Sequence, residues 1–267
     1  MRIKVPVFAA SLLLFSNSSA GIPQTPTSTT SAPQRDPQAV ALLQKCVSVM
    51  GVPPSDSTAT GNVTIVAGSL TQQGTIQILT RGTNQTSVTV QAETTNRTVI
   101  YSGIQANRIE ANSTTALPLE EAASNMSLHF PLPFLYGVVS NPDYAIQFIG
   151  QESLDSSSAN HIRVQNTFAS STYFQFLSEF TAADIWLDAS SGLPTKISMI
   201  RRFGGGSAPR IPMSFSYCDY RSVAGALYPF TIKEYVTETL WVTTTIQSVS
   251  FNSGLTDGNF PMVTEAN

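Results

Sequence analysis

Among residues that could do chemistry, Asp184 and Asp188 come first, because paired carboxylates serve acid–base hydrolysis. With Trp186 they alternate with Ile185 and Leu187, the period-two pattern of a strand with one buried face. The two acids therefore share a face, ~13 Å apart by the strand rise. Glycosidase pairs stand ~5–9.5 Å apart, so these aspartates read as polar residues flanking a hairpin. Only His129 and His161 could act as imidazole bases or ligands, and they fall in separate elements. Neither has metal-ligand spacing to the other or to Cys46 and Cys218. His129, beside Phe130 in an apolar stretch, reads as a structural histidine. Glu120-Glu121 suits the first turn of a helix, and Glu234 and Glu238 read as solvated. No G-x-S-x-G occurs, and Gly204–Ser207 has neither a following Lys nor a helix to cradle a phosphate. The expectation is no catalytic residue, no metal, no cofactor and no enzyme.

The elements that would position these residues are mostly strands. Residues 183–200 read as a hairpin, with Ala189–Gly192 as the turn and Pro194 at a strand start. Trp186 is expected under the leading helix, on the face of the sheet opposite Ile185 and Leu187. Asp36-Pro37 opens a helix as N-cap and first position, with Val40, Leu43, Val47 and Met50 as its apolar stripe and Gly51 and Pro53-Pro54 as its stop. Short β-rich runs follow at 62–67, 74–80, 87–92 and 97–101, spaced as in a meander or barrel. The rhythm breaks between Leu117 and Pro142. Leu119–Met126 is helical in propensity, and the proline-interrupted run from His129 to Gly137 is neither a central strand nor a long helix. It reads equally as a fixed cap over the core or as a lid over a cavity. Strands resume at 144–150 and 161–167 around a polar loop, 151–160, and 170–180 fits a short helix. Further strands follow from Ile211 through Tyr217, over 228–236 and over 241–251.

At 267 residues, with 42% hydrophobic and 12% charged residues, the chain can build a substantial core. Its net charge of −3, with Lys and Arg scattered, offers no footprint for nucleic acid. Residues 1–20 have the parts of a secretory signal: Arg2 and Lys4, the apolar run Val5–Phe15, and Ser18-Ser19-Ala20 before cleavage. The apolar run is about half of the ~20 residues a membrane span needs. Residues 21–36 read as a flexible leader rich in Pro, Thr, Ser and Gln, and 37–267 as one domain. Export, periplasmic or secreted, would place Cys46 and Cys218 where a disulfide can form; two separate thiols are the alternative. The sequons at Asn62, Asn84, Asn96, Asn112 and Asn125 read as chance matches in a Ser/Thr-rich chain.

The phrases D-x-W-L-D-x-x-S-G-L-P at 184–194, Y-x-D-Y-R-S-V-x-G at 217–225, Tyr228-Pro229 and Asp257-Gly258-Asn259-Phe260 close this order of elements. Together they resemble the periplasmic lipoprotein carriers and outer-membrane lipoprotein receptors of the LolA/LolB type. The resemblance implies a mainly β, α+β fold: a single antiparallel unclosed barrel, or half-barrel, wrapping helices, with a leading amphipathic helix. It further implies a hydrophobic cavity for a lipid or the acyl chains of a lipoprotein, with a role in transport across the envelope. The arginine with which the carrier closes its lid has no matched position here. Phe130, Phe134, Leu135 and Tyr136 are the expected lid contacts, and Phe174 and Phe176 the wall contacts. An envelope sensor or protein-interaction module on the same fold, with an envelope protein as partner, is the alternative function.

Overall fold

The computed structural model describes residues 32–263, apart from 112, 125–127, 155–156 and 205–206. The expected signal, most of the leader, Asn112 and Asn125 lie outside the described residues. Thirteen antiparallel strands form one sheet that does not close into a barrel. From one edge to the midline run β6 (Ser113–Ala116), β5 (Gln105–Glu110), β4 (Asn96–Ser102), β3 (Gln85–Ala92), β2 (Leu70–Arg81) and β1 (Asp56–Ala67). The sheet continues through β13 (Thr239–Phe251), β12 (Ala226–Val236), β11 (Ile211–Val223), β10 (Pro194–Arg201), β9 (Ala183–Asp188), β8 (Ser157–Asn166) and β7 (Tyr144–Leu154). Every neighbouring pair is consecutive in sequence except β1 and β13, whose pairing brings the first strand against the last. The free edges β6 and β7 are consecutive too, and the segment joining them carries α2 (Leu119–Ser124) and α3 (Pro131–Ser140).

The leading helix α1 (Pro37–Met50) begins as its sequence requires, with the Asp36 carboxylate accepting from the backbone N–H groups of Gln38 and Ala39. Its buried stripe is Ala39, Leu43, Cys46 and Met50, while Val40 and Val47 are only partly buried. The expected stripe was centred on the β-branched positions. The helix is rotated instead so that the small Ala39 and Cys46 allow close approach to α3, β7 and β12. Both prolines of α3 lie in its first turn, where their missing N–H groups have no helical acceptor to lose.

Two other expectations change, and two strands had no counterpart among them. β7 and β8 pair out to Leu154 and Ser157, so the polar stretch 151–160 is mostly strand. Gln151, Ser153, Ser157 and Ser158 are exposed on this extension and need no apolar partner. β5 and β6 lie in a stretch whose short, polar strands leave little apolar alternation to read. Within 170–180 the helical part is a 3₁₀ segment, Gln175–Phe180. Close packing at the midline depends on Gly61. A Cβ there would stand 2.2 Å from the Thr245 carbonyl oxygen, at the register shift between β1 and β13.

Register carries one face of side chains across the whole sheet. Val90 lies opposite Ile76 and Arg97, and Val88 opposite Ile78 and Val99. On the other half, Ile232 lies opposite Tyr217, Phe215 opposite Ile197, and Ile185 opposite Ile162. This inner face, with α1 and α3 against it, forms one continuous apolar core. Burying each of its large side chains contributes roughly 1.5–3 kcal/mol. Cys46 belongs to that core, whereas Cys218 is exposed on the side of β11 away from buried Tyr217. The two thiols are separate, and burial pushes the Cys46 thiol up to about 12.

Trp186 is on the outer face, away from the helices. Its ring stacks on His161 at 4.4 Å and its Nε1 donates to Glu152 at 3.1 Å. His161 bridges Glu152 and Asp184 at 2.7 and 2.8 Å, and Arg163 meets Asp184 through two nitrogens at 3.0 Å. Asp184 is thus tied into an ionic cluster, while the Asp188 carboxylate accepts from Ser190 and Ser191 in the turn. The two acids serve different neighbours, as their separation along the strand requires.

Candidate functional site

The site is built where the inner face meets α2 and α3. A cavity of about 320 Å³ is walled by Phe130, Pro133, Phe134 and Gly137 of the insertion, by Tyr101 and Ile104, and by Tyr144 and Phe168 on the far side. Thr83, Asn84, Asn141 and Asn166 add polar groups to its rim. Its volume stands at the lower end of the ~300–1,000 Å³ typical of small-molecule sites. A second chamber of about 100 Å³ shares Tyr101. Its walls are apolar inward positions of the midline strands: Val63, Ile65, Ile76, Val88, Val90, Val99 and Val242. Helix α2 borders both spaces, Glu121 facing the smaller one and Ala122 and Ala123 the larger.

Charge is concentrated in the smaller chamber. Arg97, Arg108 and Arg201 line it with Glu121, Glu234 and His129. Glu121, 4% exposed, accepts from Arg108 at 2.9 Å and, through its other oxygen, from the Gly204 N–H at 2.7 Å. His129 Nε2 lies 3.1 Å from Glu234 Oε1, and the ring packs edge-on against Phe215. Burial raises the Glu234 carboxyl, but the His129 hydrogen bond and the charges of His129, Arg201 and Arg97 outweigh it, so its pKa lies below the usual glutamate value. Burial raises the Tyr101 phenol against the opposing charges of Arg201, Arg97 and Arg108. Arg97 stands 5.7 Å from the Trp241 ring centroid and Arg201 5.3 Å from that of Phe215, so aromatic faces share in holding the guanidiniums.

Of the six residues read as ligand contacts, Phe130 and Phe134 line the larger cavity. Phe130 is 2% exposed and stacks on Tyr228 at 4.5 Å. Leu135 is fully buried in the core behind the cavity wall. Tyr136, the next residue around the helix, is 43% exposed. Phe174 packs in a separate small cluster with Phe168, Leu177 and Phe180, and Phe176 is 52% exposed. Neither Phe174 nor Phe176 lines the two spaces described. Each residue of an α- or 3₁₀-helix is turned about 100–120° from the one before, so an aromatic-rich run cannot place all its rings in one cavity.

The ionic residues of the smaller chamber were legible in part. Glu234 continues the inward alternation Tyr228, Phe230, Ile232, and Arg201 continues Ile197 and Met199, so each charge stands where an apolar residue is due. Reading Glu234 as solvated is therefore corrected: it is 7% exposed and paired. Glu121 likewise does more than favour a helix start, because it ties α2 to β5 and to the segment after β10. Among the described residues no group of His, Cys, Asp and Glu could hold a metal ion, and no helix is long and apolar enough to cross a membrane.

Neither a protein-family model nor a curated protein matches the sequence. Solved structures do match in shape. A DUF1329 family protein from Desulfovibrio piger superposes with a TM-score of 0.57 at 10% identity, covering 84% of this chain and 96% of that one. A candidate outer-membrane lipoprotein-sorting domain from Vibrio parahaemolyticus gives 0.55 at 11% identity, with 84% and 96% covered. A LolA superfamily protein from Nitrosomonas europaea gives 0.54 at 15% identity, with 84% and 97% covered. At these identities the likeness speaks for architecture, and together with the unclosed sheet and the helices on its inner face it establishes that this chain has a LolA-like fold.

Proposed function

We propose that the protein is an exported carrier that holds a lipid, or the acyl chains of a lipoprotein, against the inner face of the half-barrel. The observation that carries this reading is the apolar wall of the midline strands, lying beside a cavity of about 320 Å³ under the insertion. Such a wall recognises a hydrocarbon chain without base-specific or covalent chemistry. Each methylene buried contributes ~0.8 kcal/mol before the costs of association. The cavity volume suits a single chain, and a bulkier cargo requires α2 or α3 to shift. Residues 1–20 act as the export signal and 37–267 as the carrier domain in this reading, without catalysis.

The test is transfer of lipid from vesicles. Protein incubated with phospholipid vesicles containing a fluorescent-chain phospholipid is re-isolated by size exclusion, with expected recovery of about one lipid per protein. Val90→Trp, which fills the apolar wall, is expected to abolish that recovery while leaving the folded circular-dichroism spectrum intact. Recovery of no lipid by the unaltered protein contradicts the carrier reading.

A second reading, a protein-interaction module, draws on Tyr173 and Phe176, 73% and 52% exposed in the turn and 3₁₀ segment before β9. In that case an envelope protein, captured through these aromatics, would replace the lipid as the binding partner.

A further inference from the structure

The smaller chamber combines a hydrocarbon wall with more positive than negative side chains. Arg97, Arg108 and Arg201 face the two carboxylates Glu121 and Glu234 across a space of about 100 Å³. Glu234 is engaged by His129, and it also feels the charges of Arg201 and Arg97. The Glu121 carboxylate sits between the Arg108 guanidinium and the Gly204 N–H, the two kinds of donor that receive oxyanions in proteins. His129, 8% exposed and with Nε2 on Glu234, lines the same space.

We propose that this chamber receives the anionic head, a carboxylate or a phosphate, of an alkyl amphiphile, and that Glu121 of α2 marks the contacts such a head would take. The inference rests on the carrier reading and adds to it the charge of the cargo and the place of its head. Two consequences follow from the geometry. An anion at Arg108 competes with Glu121, so loading loosens α2 from β5. The alkyl chain then runs along Val63, Ile65 and Val90 or past Tyr101 into the larger cavity.

Isothermal titration of the mature chain with decanoate, decyl phosphate and decanol, all below their micelle concentrations, tests the proposal. At least one anionic probe is expected to bind about tenfold more tightly than decanol, the scale of a charge-assisted hydrogen bond to arginine. Preference for decanoate identifies a fatty-acid head, and preference for decyl phosphate a phospholipid-type head. Arg108→Gln is expected to bring the anionic probe to within about twofold of decanol, and Arg108→Lys to retain part of the preference. Glu121→Gln is expected to raise anion affinity severalfold by removing the competing carboxylate, an effect that a merely structural role of Glu121 would not produce. Equal binding of all three probes overturns the head site and leaves the carrier reading standing. Binding of none of them overturns both. Should Arg108→Gln fail to fold, the probe ratios of the unaltered protein and of Glu121→Gln still decide.

Discussion

His129 and Glu234 meet at 3.1 Å inside the half-barrel, although one belongs to the helical insertion and the other to β12, 105 residues away. Both are less than 10% exposed, so each depends on the other for its polar contact. Glu234→Ala is expected to destabilise the fold by about 3–5 kcal/mol, because it leaves the buried His129 without its carboxylate partner and removes a negative charge that Arg97 and Arg201 feel. Chemical denaturation at pH 7 measures this; a loss below about 1 kcal/mol would show that water reaches the pair.

Tyr228 makes the opposite kind of prediction. Its ring is fully buried against Phe130 and Phe251, while its hydroxyl has no hydrogen-bond partner among the described residues. Tyr228→Phe removes the unpaired group and keeps the packing, so the variant is expected to be as stable as the parent or up to about 2 kcal/mol more stable. A measured loss of Tm would mean that the hydroxyl has a partner, such as an ordered water.

Acid is expected to withdraw stabilisation held by carboxylates whose folded pKa is depressed, Asp188 and Glu234 among them. The Ser190 hydroxyl, aided by the Ser191 N–H and hydroxyl, holds the Asp188 carboxyl down at about 2. A depressed folded pKa stabilises above the unfolded aspartate value near ~3.9 and loses that stabilisation as pH falls towards 2. Glu234 behaves with the same sign, its contribution present above the ordinary glutamate value and lost as pH falls through its lower folded value. Asp188→Asn is expected to flatten the Tm-versus-pH curve between pH 4 and 2. An unchanged slope would remove Asp188 from the account.

The two cysteines should differ in reactivity. Cys46 is buried, with its thiol pushed up to about 12, and Cys218 is exposed. One thiol is expected to react with a maleimide at pH 7.5 in the native protein and two after denaturation. Titration of no thiol in denatured, unreduced protein would show a disulfide in place of the separate thiols.

The sequence carried the architecture further than the site. The hairpin of β9 and β10 was legible because Ile185, Leu187, Ile197 and Met199 alternate with polar residues against a turn, and the same alternation fixes their inward direction. Asp36-Pro37 was legible because capping is local. The direction of the α1 stripe was not, since it depends on how closely α3 approaches. The ionic chamber was hidden for a related reason. Arg97, Arg108, Glu121, Arg201 and Glu234 come from five elements, and His129 from the bend before α3, which only the sheet curvature and the insertion bring together. A single charge at an inward strand position looks the same in sequence whether it ends a core or lines a chamber. The leader shows the same limit. Arg35 donates to the carbonyls of Val139 and Asn141, both at 2.7 Å, and so binds the end of α3. Nothing in its Pro- and Ser-rich surroundings announces that contact.

The most direct measurement of the central claim is native mass spectrometry of the protein isolated gently from its natural host. The carrier account expects a population heavier than the bare chain by one lipid or acyl-bearing molecule, released on activation and identified as a hydrocarbon-chain compound. Bare chain alone, from a preparation in which added fluorescent-chain phospholipid is also refused, would contradict it.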